Sequence, residues 1–277
     1  MPSGVHDSAL IVNSFRARRS LLSGDPYARL WITEESESWA DQYAQQVGKT
    51  EILVHALRHR FFLHCLKQFL LKNPDGVFIN IGAGFTNYPY LISSETCCCE
   101  IDTEANIVFK QEKLADLERK GQIPQRQLDF FTVNNLNKSE EIDSLISTLK
   151  NWVDGRASFI LFEGVFFYLK LEAISYFFAT LATLQKKGDQ VACTSFRPEE
   201  CHKVMFHRLI DYCQKGYRMM EFTPTTIPPS FYNQLSGYTL ISHQNYYDLG
   251  EQFMVINELD DTNKVLEEDV YILEKLA

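Results

Sequence analysis

Apolar positions recur with two different spacings along this chain, and the spacing changes near residue 73. Before that point helical spacing dominates. Residues 1–30 predict helical pieces, and residues 38–47 and 50–72 predict two longer helices with apolar residues three or four positions apart. The turn sequence Asn-Pro-Asp-Gly ends the last of them. Residues 1–72 are therefore predicted to form an N-terminal helical cap.

After this turn, short apolar runs alternate with longer amphipathic segments. The runs with strand character are predicted strands: 77–81, 97–101, 127–133, 158–163 and 190–196. The segments between them are predicted helices: 87–93, 104–120, 139–151 and 171–186. Alternation of this kind predicts a parallel, doubly wound α/β sheet, with its core at 73–196.

Residues 197–236 interrupt the alternation with a predicted helix near 199–214 and the Pro-rich run TPTTIPPS. The insertion has an aromatic character, which is typical of a cover over an apolar small molecule or a peptide end: Phe206, Tyr212, Tyr217, Phe222, Phe231 and Tyr232. Residues 237–277 follow with predicted strands near 238–243, 252–257 and 269–275. We interpret residues 1–277 as one domain.

The charge and cysteine content of the chain bear on its binding partners and on its cellular compartment. The net charge is −9 and the sequence pI is about 5.3, so nucleic acid is not an expected partner. The short basic cluster Arg16, Arg18 and Arg19 is predicted to be a solvated or intramolecularly paired helix face. Seven Cys without a CxxC pair favour reduced thiols in a cytoplasmic protein. No apolar run has the ~18 residues of a membrane span, so no membrane association is expected.

The run VFINIGAGF joins a predicted strand to a glycine turn at Gly82 and Gly84. Such a turn lets a ligand approach the backbone at the carboxyl end of a strand, although it also occurs as a merely structural feature. The dinucleotide-binding motif G-x-G-x-x-G/A would have a third small residue where this chain has Asn87. The sequence therefore argues against a nicotinamide or flavin cofactor. A phosphate-binding loop would need a Gly-Lys-Ser/Thr ending, which is absent from the sequence.

The ends of the next strands carry polar side chains. Glu100 and Asp102 lie where a carboxylate accepts hydrogen bonds from ribose hydroxyls, in NAD and in S-adenosylmethionine sites alike; Asp102 could instead cap a helix. Asn135 could bond an adenine edge or make an ordinary turn. Glu163 ends an otherwise apolar strand, which indicates a ligand-facing carboxylate or a buried ion pair.

The motifs FINIGAGF, CEID, VNNLN and LFEGVFFYL, in this order and spacing, resemble the leucine carboxyl methyltransferase family, which includes bacterial polyketide-type O-methyltransferases. The likeness runs from about residue 16 to 250 and includes the Arg-rich RARRSLLSGDPYARL. It implies a Rossmann-like methyltransferase fold with a mostly parallel seven-stranded sheet. It also implies S-adenosylmethionine as the cofactor.

The resemblance assigns roles to individual positions. Arg58, with Arg60 as the alternative register, would hold the methionine carboxylate of the cofactor, as the planar guanidinium suits a carboxylate. The other implied cofactor positions are Gly82 at the methionine part, Gly84 in the same turn, Asp102 at the ribose with Glu100 as a candidate helper, Asn135 and Leu136 at the adenine, and Glu163 near the centre. Two departures bear on substrate choice: Thr86-Asn87-Tyr88 replaces an Asp-Thr-Arg-like run, and Asn135 replaces Asp.

These observations predict an S-adenosylmethionine-dependent O-methyltransferase that esterifies a carboxylate on a small metabolite, a natural-product intermediate or a protein C-terminus. Residues 197–236 and the N-terminal helices would together cover the acceptor. Tyr168 is a candidate to contact the acceptor oxygen, or else packs in the core, and Arg197 is a candidate to attract an anionic acceptor, or else makes a salt bridge. His55 and His59 lie four apart without a nearby carboxylate in sequence, so no metal is predicted. The alternatives are a nicotinamide-dependent oxidoreductase and a non-catalytic S-adenosylmethionine-binding protein.

Overall fold

The computed structural model describes residues 7–216, 222–259 and 261–276. Its centre is one seven-stranded sheet: β1 Val77–Ile81, β2 Cys98–Asp102, β3 Asp129–Thr132, β4 Ser158–Phe162, β5 Gln190–Phe196, β6 Tyr238–Gln244 and β7 Glu268–Lys275. The strand order is β3-β2-β1-β4-β5-β7-β6. Strands β1 to β5 pair in parallel, whereas β7 runs antiparallel to β5 and β6. The predicted mostly parallel seven-stranded sheet is confirmed.

Helices cover both faces of this sheet: α1 Asp7–Arg18, α2 Ser20–Ser23, α3 Glu34–Gln46, α4 Glu51–Lys72, α5 Glu104–Arg119, α6 Ser139–Val153, α7 Leu171–Leu181, α8 Val204–Gly216, α9 Pro229–Asn233 and α10 Tyr246–Gln252. The apolar residues of α4 and α10 pack on one face of the sheet, and those of α6 and α7 pack on the other. Both faces of β1 and β4 are thereby buried, which accounts for their continuous apolar sequences.

One predicted strand, 252–257, is wrong. The segment contains the end of α10, Met254 at a φ of 58° and a short 3₁₀ helix at Ile256–Glu258. Its apolar residues Phe253 and Val255 pack against the core formed with α4. These residues pack on the sheet instead of forming a strand of it. A short apolar run in the sequence is compatible with either structure, so the sequence alone could not decide between them. The helix predicted at 87–93 is a single 3₁₀ turn, Tyr88–Leu91.

The N-terminal helices lie above the carboxyl end of the parallel strands. Helix α1 packs against α3 and α4, and α8 packs against α3. A separate apolar cluster joins α1 and α3 to α8 through residues that include Phe15, Ala40 and Leu209. The predicted site edge of the sheet is therefore covered by helices that precede the sheet in sequence and by α8 of the 197–236 insertion. In the described part of the chain, no helix is both long enough and apolar enough to cross a membrane.

Candidate functional site

A cavity of about 230 Å³ lies at the carboxyl ends of β1, β2, β4 and β5. Its wall is completed by α1, by the first turns of α4, and by residues of α8, α10 and β7. Open α/β sheets bind ligands at this edge, because the strand-to-helix turns leave a crevice there. The cavity is therefore the candidate site.

The glycine turn forms the floor of this cavity. Gly82 has a φ of 68° and Gly84 a φ of 45°, in the left-handed region that favours glycine. A Cβ at Gly82 would lie 2.4 Å from Cγ2 of Val165, so the turn needs glycine for packing as well as for its backbone. The Gly84 N–H donates to Asp102 Oδ2 at 2.7 Å. The turn and the end of β2 are thus held as one unit.

Asp102 lines the cavity, and its carboxylate can accept about one more hydrogen bond than the protein itself supplies. Besides the bond from Gly84, its Oδ1 accepts from the Thr103 N–H at 2.7 Å and from Asn106 Nδ2 at 2.8 Å. The cap of α5 is Thr103, not Asp102, so the alternative role as a helix cap does not apply. A carboxylate offers about four acceptor positions, so about one remains for a ligand hydroxyl.

Glu100 does not line the cavity. It is buried and pairs with Lys110, whose Nζ lies 2.7 Å from Glu100 Oε2 and donates to the Thr86 carbonyl at 2.9 Å. Glu100 precedes the strand end by two residues, about 6.6 Å below the edge of the sheet, which places it beneath the turn. The prediction that Glu100 helps to hold a ribose is therefore not supported by its position.

Arg58, Glu163 and Glu268 form a buried ion-pair cluster in the cavity wall. Arg58 Nε donates to Glu163 Oε1 at 3.0 Å, and Arg58 Nη1 pairs with Glu268 Oε2. Burial alone would raise the pKa of Glu163, but the positive charge of Arg58 outweighs it and holds the pKa at about 2. Glu163 is thus both cavity-facing and ion-paired. Arg60 is exposed and absent from the wall, which favours the Arg58 register.

The three residues that depart from the family run are part of a polar network. Tyr88 OH donates to Glu163 Oε2 at 2.7 Å, and Thr86 Oγ1 accepts from Asn80 Nδ2 at 2.9 Å. Asn87 Nδ2 donates to Asp25 Oδ2 at 2.9 Å and so joins the turn to the N-terminal segment. The three residues that differ from the family's usual run therefore hold the glycine turn and Glu163 in place through hydrogen bonds.

Helix α1, part of the predicted N-terminal cap, contributes a wall whose residues were not predicted individually. Ser8, Ala9, Val12 and Arg16 face the cavity. Arg16 is buried, with its Nε 3.6 Å from Asp25 Oδ2 and its Nη2 3.4 Å from the Phe85 carbonyl. The other two members of the basic cluster pair with acidic residues: Arg18 with Glu37 and Asp41, and Arg19 with Glu258. The predicted intramolecular pairing is confirmed. The sequence signal that could have indicated this wall is the four-residue spacing of Val12 and Arg16, which places both side chains on the same face of a helix.

Of the two residues predicted to contact the acceptor, Tyr168 lines the cavity and Arg197 does not. Tyr168 lines the cavity and packs against Phe167 and Phe222, with ring centroids 4.3 and 5.6 Å away; burial raises its pKa, so the phenol is neutral. Arg197 is absent from the wall. Its Nη2 pairs with Glu267 Oε2 at 2.9 Å, which is the alternative role predicted for it.

The predicted adenine-side residues also lie away from the cavity. Asn135 Oδ1 accepts from the Asn137 N–H at 3.0 Å, as ordinary turn chemistry requires, and Leu136 is buried in the core. Among the aromatic residues of the 197–236 insertion, Phe206 and Tyr212 are buried against α3 and α1, whereas Tyr217 lies outside the described residues.

A polar corner of the cavity consists of Tyr43, Glu51 and His55, none of which was predicted as a site residue. Tyr43 OH donates to Glu51 Oε2 at 3.4 Å, and His55 Nδ1 donates to the Glu51 carbonyl at 2.8 Å. Burial lowers the pKa of His55 to about 3, so this ring is neutral. No three His, Cys, Asp or Glu side chains within 7–216, 222–259 and 261–276 are grouped to hold a metal ion.

Comparison with solved structures shows the fold. The chain is 12% identical to a candidate methyltransferase from Thermobifida fusca, with a TM-score of 0.62 and coverage of 88% of this chain and 90% of the other. A DUF574 family protein from Streptomyces avermitilis gives 9% identity, a TM-score of 0.59 and coverage of 88% and 92%. An S-adenosylmethionine-dependent methyltransferase from Anabaena variabilis gives 12% identity, a TM-score of 0.50 and coverage of 85% of this chain and 94% of the other.

These similarities place the chain among Rossmann-like methyltransferase folds. No curated protein matches the sequence significantly. The family model described as leucine carboxyl methyltransferase matches residues 9–182, more than half of the chain, and includes the glycine turn, Asp102 and Glu163. The chain therefore belongs to the leucine carboxyl methyltransferase family.

Proposed function

We propose that this protein transfers a methyl group from S-adenosylmethionine to a carboxylate oxygen of its acceptor and forms a methyl ester. The cofactor follows from membership of the family. The observation that carries the proposal is that Arg58, Gly82, Asp102 and Glu163, separated by up to 105 positions, share the wall of one cavity. A carboxylate acceptor is the class that the family description names.

The wall residues fit this cofactor by charge and by hydrogen-bonding capacity. Asp102 retains about one acceptor position, which suits a ribose hydroxyl. Arg16 and Arg58 supply positive charge for a carboxylate, and Glu163, ionised above pH 2, supplies negative charge for an ammonium or sulfonium group. S-adenosylmethionine, when bound, supplies an electrophilic methyl group on a positively charged sulfur.

The protein's own contribution is alignment and exclusion of water. A carboxylate acceptor is already ionised near pH 7, so no general base is required. The carboxylate oxygen bonds to the methyl carbon, the carbon–sulfur bond breaks with its electron pair on sulfur, and no proton moves. Phe167, Phe196 and Leu209 give the cavity an apolar side that keeps water from the reacting atoms. Tyr168, neutral and at the same wall, is proposed to orient the acceptor oxygen.

The test combines binding with the chemical nature of the product. Calorimetric titration with S-adenosylmethionine, S-adenosylhomocysteine and NADH should show binding of the first two only, weakened in Glu163→Gln. A panel of carboxylic acids, peptides with free or amidated C-termini, and phenols is then incubated with methyl-labelled cofactor. We expect label on free carboxylates that alkali releases as methanol, as esters are hydrolysed by base and aryl ethers are not.

Other outcomes would select the alternatives. Base-stable label would replace the carboxylate by a hydroxyl acceptor, and cofactor binding without transfer across the panel would favour a non-catalytic binding protein. Preference for NADH would favour an oxidoreductase. The topology speaks against that last case, because a dinucleotide fold has a parallel sixth strand beside β5, whereas here the antiparallel β7 occupies that place.

A further inference from the structure

The polar corner formed by Tyr43, Glu51 and His55 has no role in cofactor binding as described above. It lies on the first two turns of α4 and on α3, in the same cavity wall as the apolar residues Phe196 and Leu209. The corner lies beside Arg58, whose charge acts on both Glu51 and His55. Since the proposed function places the ribose at Asp102 and the methionine carboxylate at Arg58, and assigns nothing to the corner itself, we infer that the acceptor binds there, next to the methionine part. The corner is the polar feature that an acceptor would meet there.

The described wall has no further arginine or lysine to receive an anionic acceptor, since the proposed function already assigns Arg16 and Arg58 to the carboxylate of the cofactor. Its two basic residues already face carboxylates: Arg16 faces Asp25, and Arg58 faces Glu163 and Glu268. A carboxylate bound without a donor would leave buried charge unsatisfied at a large cost. A neutral hydrogen-bond donor at the acceptor end would remove that cost.

Glu51 has the properties of such a donor. Glu51 as a whole residue is 2% exposed, its Oε2 accepts a hydrogen bond from Tyr43, and its Oε1 has no hydrogen-bond partner among the described residues. Burial raises the pKa of Glu51 to about 8; Arg58 opposes this rise and the carboxylate of Glu268 adds to it. At neutral pH the group is therefore a carboxylic acid whose O–H needs an acceptor.

We propose that Glu51, as a protonated acid, donates a hydrogen bond to the carboxylate of the methyl acceptor and positions it for transfer. The inference rests on the proposed function, since it requires a carboxylate acceptor. Of the two carboxyl groups, Glu51 carries the proton and the acceptor carries the negative charge, and the hydrogen bond is strong because one partner is charged. Glu51 keeps its proton throughout. Once the acceptor is a neutral ester, the same hydrogen bond weakens, which favours release of the product.

The groups that face Glu51 or act on its charge come from four elements: Tyr43 of α3, His55 and Arg58 of α4, Tyr246 of α10 and Glu268 of β7. Burial lowers the pKa of His55 to about 3 and raises that of Tyr246 well above 10. The pKa of Arg58 is raised further from its high ordinary value, because Glu268 and Glu163 outweigh its burial. Glu51 is the member of this set expected to titrate near pH 8.

The first experiment measures carboxylate binding with benzoate and its neutral analogue benzamide, on protein saturated with S-adenosylhomocysteine. Above pH 8, binding of benzoate should take up about one proton, seen as a buffer-dependent calorimetric enthalpy. Its affinity should fall about tenfold per pH unit. In Glu51→Gln, which keeps a donor but cannot titrate, both effects should vanish. In Glu51→Ala, affinity at pH 7 should fall about ten- to a hundredfold.

The matched control is Glu200→Gln. Glu200 is also a buried glutamate whose pKa burial raises, but it pairs with Lys203 away from the cavity. This variant should keep the proton uptake of the wild type. Absence of benzoate binding, or binding without proton uptake in the wild type, would overturn the role of Glu51. The methanol-release assay stands apart from this result, so base-labile product without proton uptake would leave the proposed function intact.

A second measurement needs no ligand. The pKa of Glu51 is raised from 4.5 in the unfolded chain to about 8 in the folded protein, so its contribution to stability is lost as pH rises through that interval. The free energy of unfolding of the wild type, relative to Glu51→Gln, should therefore decline between pH 4.5 and pH 8 and level off above. A constant difference over this range would show that Glu51 is ionised throughout and would refute the proposal.

Discussion

At the scale of single residues, the cavity holds two buried glutamates in opposite protonation states. Glu163 receives hydrogen bonds from Arg58 and Tyr88, and the guanidinium outweighs burial, so its pKa lies near 2. The carboxyl group of Glu51 accepts a hydrogen bond from Tyr43, and burial dominates, so its pKa lies near 8. Environment rather than residue type thus assigns one carboxylate to charge balance and the other to hydrogen-bond donation.

Replacement of Glu163 by Gln should destabilise the protein in a pH-dependent way. Because Arg58 keeps Glu268 as a partner, we expect a loss of about 3 kcal/mol in the free energy of unfolding at neutral pH. The folded pKa is lowered from 4.5 to about 2, so the difference between wild type and Glu163→Gln should shrink as pH falls through that interval. Urea unfolding at several pH values measures it. Glu172→Gln, at an exposed site on α7, is the control and should show little change.

At the scale of elements, the glycine turn and α5 together hold the end of β2 in place. Gly82 and Gly84 need left-handed backbone, and Gly84 bonds Asp102. Lys110 reaches from α5 to both Glu100 and the Thr86 carbonyl. The strand, turn and helix are thus connected by buried polar contacts that fix where Asp102 faces the cavity.

Substitution of Gly82 by Ala tests the turn. Both the φ of 68° and the 2.4 Å approach of Val165 oppose a Cβ, so we expect about 2–3 kcal/mol of destabilisation and loss of S-adenosylhomocysteine binding. Gly121→Ala is a matched control, because Gly121 has a φ of 66° but no atom within 4 Å of the added Cβ. It should cost about 1 kcal/mol and leave binding unchanged. Thermal unfolding and calorimetry separate the two; equal effects would contradict the steric argument.

The Glu100–Lys110 pair should behave as a structural unit. Lys110→Met leaves the buried carboxylate without its partner and should cost about 3–5 kcal/mol in the free energy of unfolding. Adding Glu100→Gln to this variant should recover most of that loss, whereas independent sites would give additive losses. Urea unfolding of the two single variants and the double variant measures the coupling. The double variant should still bind S-adenosylhomocysteine, since Glu100 does not line the cavity.

At the scale of the whole molecule, both ends of the chain close the site. Helix α1 supplies one wall, and β7 supplies Glu268 as a second carboxylate for Arg58, 210 positions away. The antiparallel placement of β7 between β5 and β6 is what carries Glu268 to this edge. Bound cofactor should therefore stabilise contacts made by distant parts of the sequence.

Hydrogen exchange with and without S-adenosylhomocysteine tests this closure. Amides of α1 should become more protected on addition of the ligand, by up to about 2.7 kcal/mol in opening free energy at a ligand concentration of 100 Kd. Amides of α6 are the internal reference, because that helix contributes no residue to the cavity wall and should respond less. A uniform change in both helices would indicate global stabilisation without a specific contact at α1.

The sequence by itself determined the features that local pattern encodes. Apolar runs and turns located the strands of the parallel sheet, and strand ends located the glycine turn, Asp102 and Glu163, because in a parallel sheet those positions share one edge. The motifs in that order also identified the family and hence the cofactor.

Only the tertiary structure decided which polar residues reach the cavity. Arg197 pairs with Glu267, and the apolar run at 252–257 packs against the core that α4 forms with the sheet instead of forming a strand. Arg16 and Glu51 entered the wall through the packing of α1 on α3 and α4. The physical reason is common to all of them: their charge and packing partners lie far away in sequence, and a local pattern carries no information about distant neighbours.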